Sequence, residues 1–174
     1  MKIILLAFML VSGLMANSLE LKEGFVQAHT EMMMDSTINP LNSRLHAEVN
    51  MDNNDFTTLT GKFWVDMDLF VSDNTDRDEH MDEATNVKKY PLATYTIKNI
   101  IKKTEDTYAL VGIMDFHGVK KELTFQTQIL KSDSKLHFSA EVDILGSDFG
   151  LDMPCMVFMC VDDKINLLVE AKFK

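Results

Sequence analysis

Residues 136–144 read LHFSAEVDI, and their apolar side chains fall at every second position. The residues between them are His, Ser, Glu and Asp. Successive side chains of a strand point to opposite faces, so this pattern is typical of a strand with one buried face and one wet face. A surface helix would instead place apolar residues three and four apart. The stretch therefore predicts a strand of an antiparallel sheet.

The same alternation recurs over residues 59–71, 123–129 and 165–173. Further strands fit residues 24–34, 44–51, 92–101 and 108–116, which makes about eight in all, separated by turn signals. An all-β, up-and-down antiparallel barrel is the architecture expected from such a series. A β-sandwich with a closed core remains the alternative, because periodicity alone does not distinguish the two.

Residues 73–89 interrupt the strand pattern. They are polar and include the run DEHMDEA at residues 78–84. We expect a loop with a short helical segment, capped at its start by Asp73 or Asn74.

The chain has 174 residues, of which 46% are apolar, with 17 basic and 27 acidic side chains. Arg44 and Arg77 are its two arginines. An acidic chain of this kind makes nucleic acid an unfavourable partner, because phosphate neutralisation requires Lys and Arg. It also disfavours electrostatic adhesion to anionic lipid.

The first sixteen residues have the pattern of a secretory signal. Met1-Lys2 provides the positive start, residues 3–11 are apolar, and Leu14-Met15-Ala16 provides the cleavage site. The apolar run is well short of the ~20 residues that a membrane-spanning helix needs, so no stable membrane anchor is expected. We therefore predict a signal peptide over residues 1–16, cleaved after Ala16, and a single periplasmic domain over residues 17–174.

Five short segments in a fixed chain order resemble the YceI-like family of exported bacterial proteins. Residues 73–81 read DNTDRDEHM and residues 88–91 read KKYP, similar to the family's Arg-Asp-x-His-Leu segment and the Tyr-Pro before its next strand. Residues 112–120 (GIMDFHGVK) and 147–150 (SDFG) resemble two further family motifs, and residues 28–30 (AHT) resemble the first-strand Ala-His-Ser. Met81 stands where the family usually has Leu, and Gly146 where it usually has Arg.

This resemblance implies a lipocalin-like barrel around an apolar cavity that binds an isoprenoid lipid, either a quinone or a polyprenyl phosphate. The residues expected to line that cavity share an inward-facing apolar side chain. They are Phe63, Val65, Met67, Leu69, Tyr95, Ile97, Leu110, Met114, Phe116, Phe125, Phe138, Val142, Leu167 and Val169. The alternative is that these side chains fill the barrel themselves as an ordinary core.

Arg77, Asp78 and His80 are candidates for a polar lip that recognises the head group of a ligand. In the alternative interpretation, Arg77 pairs with nearby carboxylates and only holds the loop in place.

Cys155 and Cys160 lie in the segment PCMVFMC, residues 154–160. An oxidising compartment favours a disulfide. Five residues of extended strand would span about 16 Å, so the segment must turn back on itself to form the bridge. Free thiols beside Met153, Met156 and Met159 would instead suit a soft metal such as Cu(I), which would make the chain a periplasmic soft-metal or redox-stress protein.

The remaining residue pattern contains no catalytic set. The five histidines are scattered, and neither a zinc motif, a nucleophile elbow nor a phosphate-binding glycine loop occurs. We predict a non-catalytic binding protein that needs no metal or cofactor. A closed-core module that binds another protein is a third functional class, and whether two barrels pair as a homodimer stays open.

Overall fold

The computed structural model describes residues 17–32, 36–133, 135–156 and 159–174. The predicted signal peptide lies outside these residues. One α-helix, α1, spans Thr75–Thr85, and 3₁₀ turns span Phe56–Thr58, Met67–Leu69 and Ser147–Phe149. The strands are β1 (Asn17–Leu19), β2 (Leu21–Met32), β3 (Ser36–Ile38), β4 (Leu41–Asn42), β5 (His46–Met51), β6 (Thr60–Asp66), β7 (Leu92–Lys102), β8 (Thr107–Phe116), β9 (Val119–Ser132), β10 (Lys135–Leu145), β11 (Cys155–Met156), β12 (Met159–Cys160) and β13 (Lys164–Phe173).

The main sheet is antiparallel throughout and runs in the order β1-β5-β6-β7-β8-β9-β10-β13-β2-β3, with β4 paired to β2. From β5 to β10 every strand pairs with its neighbour in the chain, as expected for up-and-down connections. The sheet curls into an incomplete barrel, and its two sides meet where the Leu45 N–H donates to the Gly24 carbonyl at 3.3 Å. The prediction of an all-β, lipocalin-like fold is confirmed.

The predicted strands correspond to the long strands β2, β5 to β10 and β13. Short strands such as β1, β3 and β4 were not predicted, because two or three residues are too few to show a period. In β10 the alternation holds along its length, with Leu136, Phe138 and Ala140 among its buried positions. Phe138 lies opposite Ala171 and Ala140 opposite Val169 in β13, so neighbouring strands present their apolar side chains to one interior.

One strand is shorter than predicted. The alternation over residues 59–71 continues past the end of β6 at Asp66, but Met67–Leu69 forms a 3₁₀ turn. The buried Asn42 amide donates to the Asp66 carbonyl at 2.8 Å, and the Met67 N–H donates to the Pro91 carbonyl at 2.8 Å. These hydrogen bonds satisfy backbone groups at the point where the chain leaves the sheet toward α1. The alternating residues beyond Asp66 therefore do not extend the strand.

The helix α1 begins as predicted from Asn74, whose side-chain oxygen accepts the Arg77 N–H at 3.1 Å. It ends at Thr85, and the following residue, Asn86, adopts a left-handed conformation. In the part of the chain that the structure describes, no helix has both the length and the apolar character to cross a membrane.

The two ends of the barrel differ. We call the end of the barrel where β5 ends and β6 begins the closed end. It is packed with buried side chains that include Met51, Leu59 and Ile100. There the ring of Phe56 meets Tyr108 edge-on, with centroids 5.7 Å apart. At the opposite end lie α1, which connects β6 to β7, and the described parts of the connection between β10 and β13. Packed side chains therefore fill the interior of the barrel at the closed end.

Candidate functional site

A cavity of about 900 Å³ occupies the barrel between its middle and the end that carries α1. Inward-facing side chains of the long strands form its wall, and the helix and residues 151–154 border it. This volume lies at the upper end of the ~300–1,000 Å³ typical of small-molecule sites. The strand portion of the wall is mostly apolar and aromatic.

The structure places most of the predicted lining residues on this wall. Phe63, Val65, Met67, Tyr95, Leu110, Met114, Phe116, Phe125, Phe138, Val142, Leu167 and Val169 all border the cavity. Their contact with a ligand remains a prediction.

Two predicted lining residues do not border the cavity. Leu69 lies in the 3₁₀ turn after β6, where the two-residue period no longer applies. Ile97 is on β7 but is only 6% exposed within the packed core, opposite Gly61 and Gly112. Period two identifies a face of a strand, but it does not tell whether a position lies beside a cavity or beside packed side chains.

Further wall residues were not among the predicted set. Val26, Ala28, Leu123, Ile144 and Ile165 all border the cavity. Each alternates in sequence with polar or outward-facing neighbours, so the same period-two signal would have found them.

Two phenylalanines form the floor of the cavity, and a third packs behind them. Phe63 and Phe138 border it, and both contact Phe173, which is 1% exposed. The ring centroids are 5.2 Å apart for Phe138 and Phe173 and 6.3 Å apart for Phe63 and Phe173. Edge-to-face contacts of this kind add to the stabilisation from area burial.

Tyr95 contributes a hydroxyl to the wall. Its ring packs against Phe125 at 4.9 Å, and its hydroxyl donates weakly to the Leu123 carbonyl at 3.3 Å. Burial raises the pKa of this hydroxyl above its ordinary value, and the nearby Glu122 raises it further. Tyr95 is therefore a protonated hydrogen-bond donor within an apolar wall.

Gly112 makes room for that ring. A Cβ atom at this position would lie 2.5 Å from Tyr95 Cζ and 2.5 Å from the Thr96 carbonyl oxygen. The close approach of β8 to Tyr95 therefore depends on the absence of a side chain at Gly112. The sequence motif that contains Gly112 did not reveal this role.

The mouth of the cavity is defined by Asn74, Asp76, Arg77, His80 and Glu83 of the helix segment together with Asp152. Arg77 and His80 border the cavity, and their role in recognising a head group stays a prediction. The Arg77 guanidinium also donates to the Asp73 carboxylate at 3.0 Å, so the loop-holding contact considered for it is present as well.

Asp78, the third residue predicted for the lip, does not border the cavity. Its carboxylate accepts the Ser72 N–H at 2.9 Å and the Ser72 hydroxyl at 2.6 Å. The Asp78 side chain therefore faces the segment that precedes α1, away from the residues that line the cavity. The prediction placed it at the lip from sequence adjacency, but on a helix consecutive residues point about 100° apart.

The segment that contains the cysteines turns back as a short antiparallel hairpin of β11 and β12. Cys155 and Cys160 lie opposite each other and form a disulfide. Leu151, Met153 and Pro154, just before the hairpin, border the cavity. The bridge removes the two thiolates that a soft-metal site requires, and the described residues contain no cluster of three or more His, Cys, Asp or Glu arranged for a metal ion.

Motifs far apart in the chain meet beside the cavity. The rings of Tyr90 and His117 lie 4.5 Å apart, and Gly118, with φ of +77°, allows Tyr90 to lie against its Cα. His117 Nδ1 lies 3.1 Å from the Phe149 carbonyl oxygen and must donate, since a carbonyl only accepts. Phe149 is 1% exposed and packs on Phe116, a wall residue. We call Tyr90, Phe116, His117, Gly118 and Phe149 the motif cluster.

A curled antiparallel sheet with an apolar cavity at one end defines the lipocalin-like class of β-barrel proteins. Within that class, the chain belongs to the YceI-like domain family, whose model matches residues 18–173. No curated protein sequence matches the chain.

Solved structures share the fold at low sequence identity. Burkholderia cenocepacia BcnA is 15% identical, with a TM-score of 0.76 over 86% of this chain and 95% of that one. A polyisoprenoid-binding domain from Saccharophagus degradans, implicated in plant cell wall breakdown, is 12% identical, with a TM-score of 0.70 over 90% and 97%. The Campylobacter jejuni YceI protein is 21% identical, with a TM-score of 0.69 over 82% and 88%.

Proposed function

We propose that this protein binds an isoprenoid lipid, a quinone or a polyprenyl phosphate, in its barrel cavity and sequesters or carries it without chemical change. The observation that carries the proposal is the cavity of about 900 Å³ with a mostly apolar strand wall. The polyisoprenoid-binding domain of Saccharophagus degradans, which shares the fold, gives independent support for this ligand class.

The wall suits a chain of branched apolar units. Phe125 and Phe138 offer flat surfaces, and Met67 and Met114 add flexible thioethers that adapt to an irregular chain. Burying a methylene from water contributes about 0.8 kcal/mol, so an isoprenoid tail has a large driving force to leave water. Its real competitor is the bilayer, which is equally apolar. Net transfer between membrane and cavity is then close to neutral, as a carrier requires.

The other functional classes have less support. A soft-metal role needs free thiolates, and Cys155 and Cys160 are bridged. A closed-core module for another protein would not need a cavity of this size. We also propose that the protein acts in the periplasm, on the basis of the signal pattern in residues 1–16.

Lipid extracted from protein purified from its native host tests the ligand class directly. We expect an isoprenoid to be recovered at a stoichiometric level and identified by mass spectrometry. Recovery of ordinary fatty acids alone would count against the proposal.

A matched pair of leucines on β13 tests whether the cavity is the binding site. Leu167 borders the cavity, whereas Leu168 does not and lies opposite Glu141 and Gln27 on the outer face. Leu167→Trp places a ring where roughly two methylenes of a tail would sit, so we expect affinity for a polyprenyl ligand to fall about tenfold or more.

Leu168→Trp is the control and should leave that affinity unchanged. Titration of each variant with the same quinone, monitored by fluorescence of the protein, measures both constants. Equal affinities for the two variants would place the binding site elsewhere on the barrel.

A further inference from the structure

The mouth of the cavity is acidic. Asp76, Glu83 and Asp152 border it, and Arg77 is the only Lys or Arg among the described residues of the wall. Over its whole length α1 carries five carboxylates and one arginine. A head group at the mouth therefore meets a negative potential.

The single arginine is already engaged. Its guanidinium donates to the Asp73 carboxylate at 3.0 Å. A phosphate that recruited Arg77 would have to compete with this carboxylate and would bring its own two charges next to Asp76. His80, the other basic side chain at the mouth, is exposed to solvent.

The start of α1 is already partly capped and carries negative charge. A helix N-terminus attracts anions through its unpaired N–H groups, but here the Asn74 side chain accepts the Arg77 N–H. Asp76 and Asp78 lie in the first turn and offset the positive end of the helix dipole.

On these grounds we propose that the acidic mouth makes Asp76, Glu83 and Asp152 specificity residues, which select isoprenoids with an uncharged head over isoprenoid phosphates. The proposal rests on the proposed binding of isoprenoids in the cavity and narrows it to one class of head group. A quinone or an alcohol presents hydrogen-bonding oxygens without a net charge, so it enters the mouth without electrostatic cost.

Two probes with one tail isolate the contribution of the head group. Geranylgeraniol and geranylgeranyl monophosphate differ only at the head, and at pH 8 the phosphate is close to dianionic. We expect the alcohol to bind roughly 30-fold more tightly at about 0.02 M salt. Because salt screens the repulsion, that ratio should fall several-fold at about 0.5 M salt, while the affinity for the alcohol stays nearly constant.

A pair of glutamates on α1 provides the matched variants. Glu83 borders the cavity, and Glu79, one turn earlier, is exposed and does not. Glu83→Gln should strengthen phosphate binding about threefold, and Asp76→Asn/Glu83→Gln about tenfold, with little change for the alcohol. Glu79→Gln is the control and should change either affinity less than twofold. Thermal unfolding of each variant verifies that the barrel is intact.

The outcomes separate the two proposals. Equal binding of the alcohol and the phosphate, or tighter binding of the phosphate, overturns the selection by charge and leaves isoprenoid binding standing. Failure of both probes to bind overturns isoprenoid binding itself and the selection with it. A phosphate affinity that rises equally in Glu79→Gln and Glu83→Gln would assign the effect to the overall charge of the protein and contradict a role for the mouth.

Discussion

Phe149→Ala is expected to lower the free energy of unfolding by about 3–5 kcal/mol, the usual cost of removing a large aromatic side chain from a core. Phe149 is 1% exposed, its ring packs on Phe116 at 5.5 Å, and its carbonyl accepts from His117. Truncation would leave a cavity in the motif cluster, where segments from three parts of the chain meet. Urea unfolding, monitored by circular dichroism, measures the change.

Phe25→Ala provides the control for this prediction. Phe25 is half-buried and lies opposite Glu170 on the outer face of β2, so its truncation should cost less than half as much. Phe149→Leu, which keeps most of the buried volume, should recover a large part of the lost stability. If Phe149→Ala costs no more than Phe25→Ala, the motif cluster is not a centre of stability.

Gly61→Ala is expected to destabilise the barrel by about 3 kcal/mol or more, through two separate effects. Gly61 has a φ of +123°, a conformation that costs any other residue about 1–3 kcal/mol. In addition, a Cβ atom there would lie 1.9 Å from the Glu48 carbonyl oxygen. This oxygen belongs to the backbone of β5, so β5 and β6 would have to separate.

Gly150→Ala distinguishes the two effects. Gly150 also has a positive φ, of +72°, but the nearest atom to its added Cβ would be His117 Nδ1 at 4.0 Å. Only the conformational cost of about 1–2 kcal/mol remains there. Thermal or urea unfolding of both variants should show a clearly larger loss for Gly61→Ala. Equal losses would mean that the strands accommodate the extra methyl group, contrary to the prediction.

Much of the fold follows from local pattern. The alternation in residues 136–144 and its counterparts determines which side chains face the interior, because the two-residue period is a property of the strand itself. The same reasoning names Phe138, Val142 and Leu167, which the structure places on the cavity wall. It fails at Leu69 and Ile97, because neither the end of a strand nor the depth of packing along it is encoded in the period.

The site depends on features that the pattern does not contain. Asp78 and His80 are two residues apart, yet Asp78 accepts a hydrogen bond from Ser72 before α1, whereas His80 borders the cavity. Gly112 and Gly118 leave room for the rings of Tyr95 and Tyr90, which lie 17 and 28 residues earlier in the chain. Such contacts are set by the register and curl of the whole sheet.

The sequence alone predicts an antiparallel β-structure with an acidic exterior, an apolar inward face and the ordered motifs of one family. The tertiary structure adds that the inward face leaves a cavity toward one end instead of closing on itself, and that acidic side chains of α1 border the mouth of this cavity. The physical reason is one of range. Alternation records the local geometry of a strand, whereas a cavity arises from the curvature summed over many strands that pair far apart in the chain.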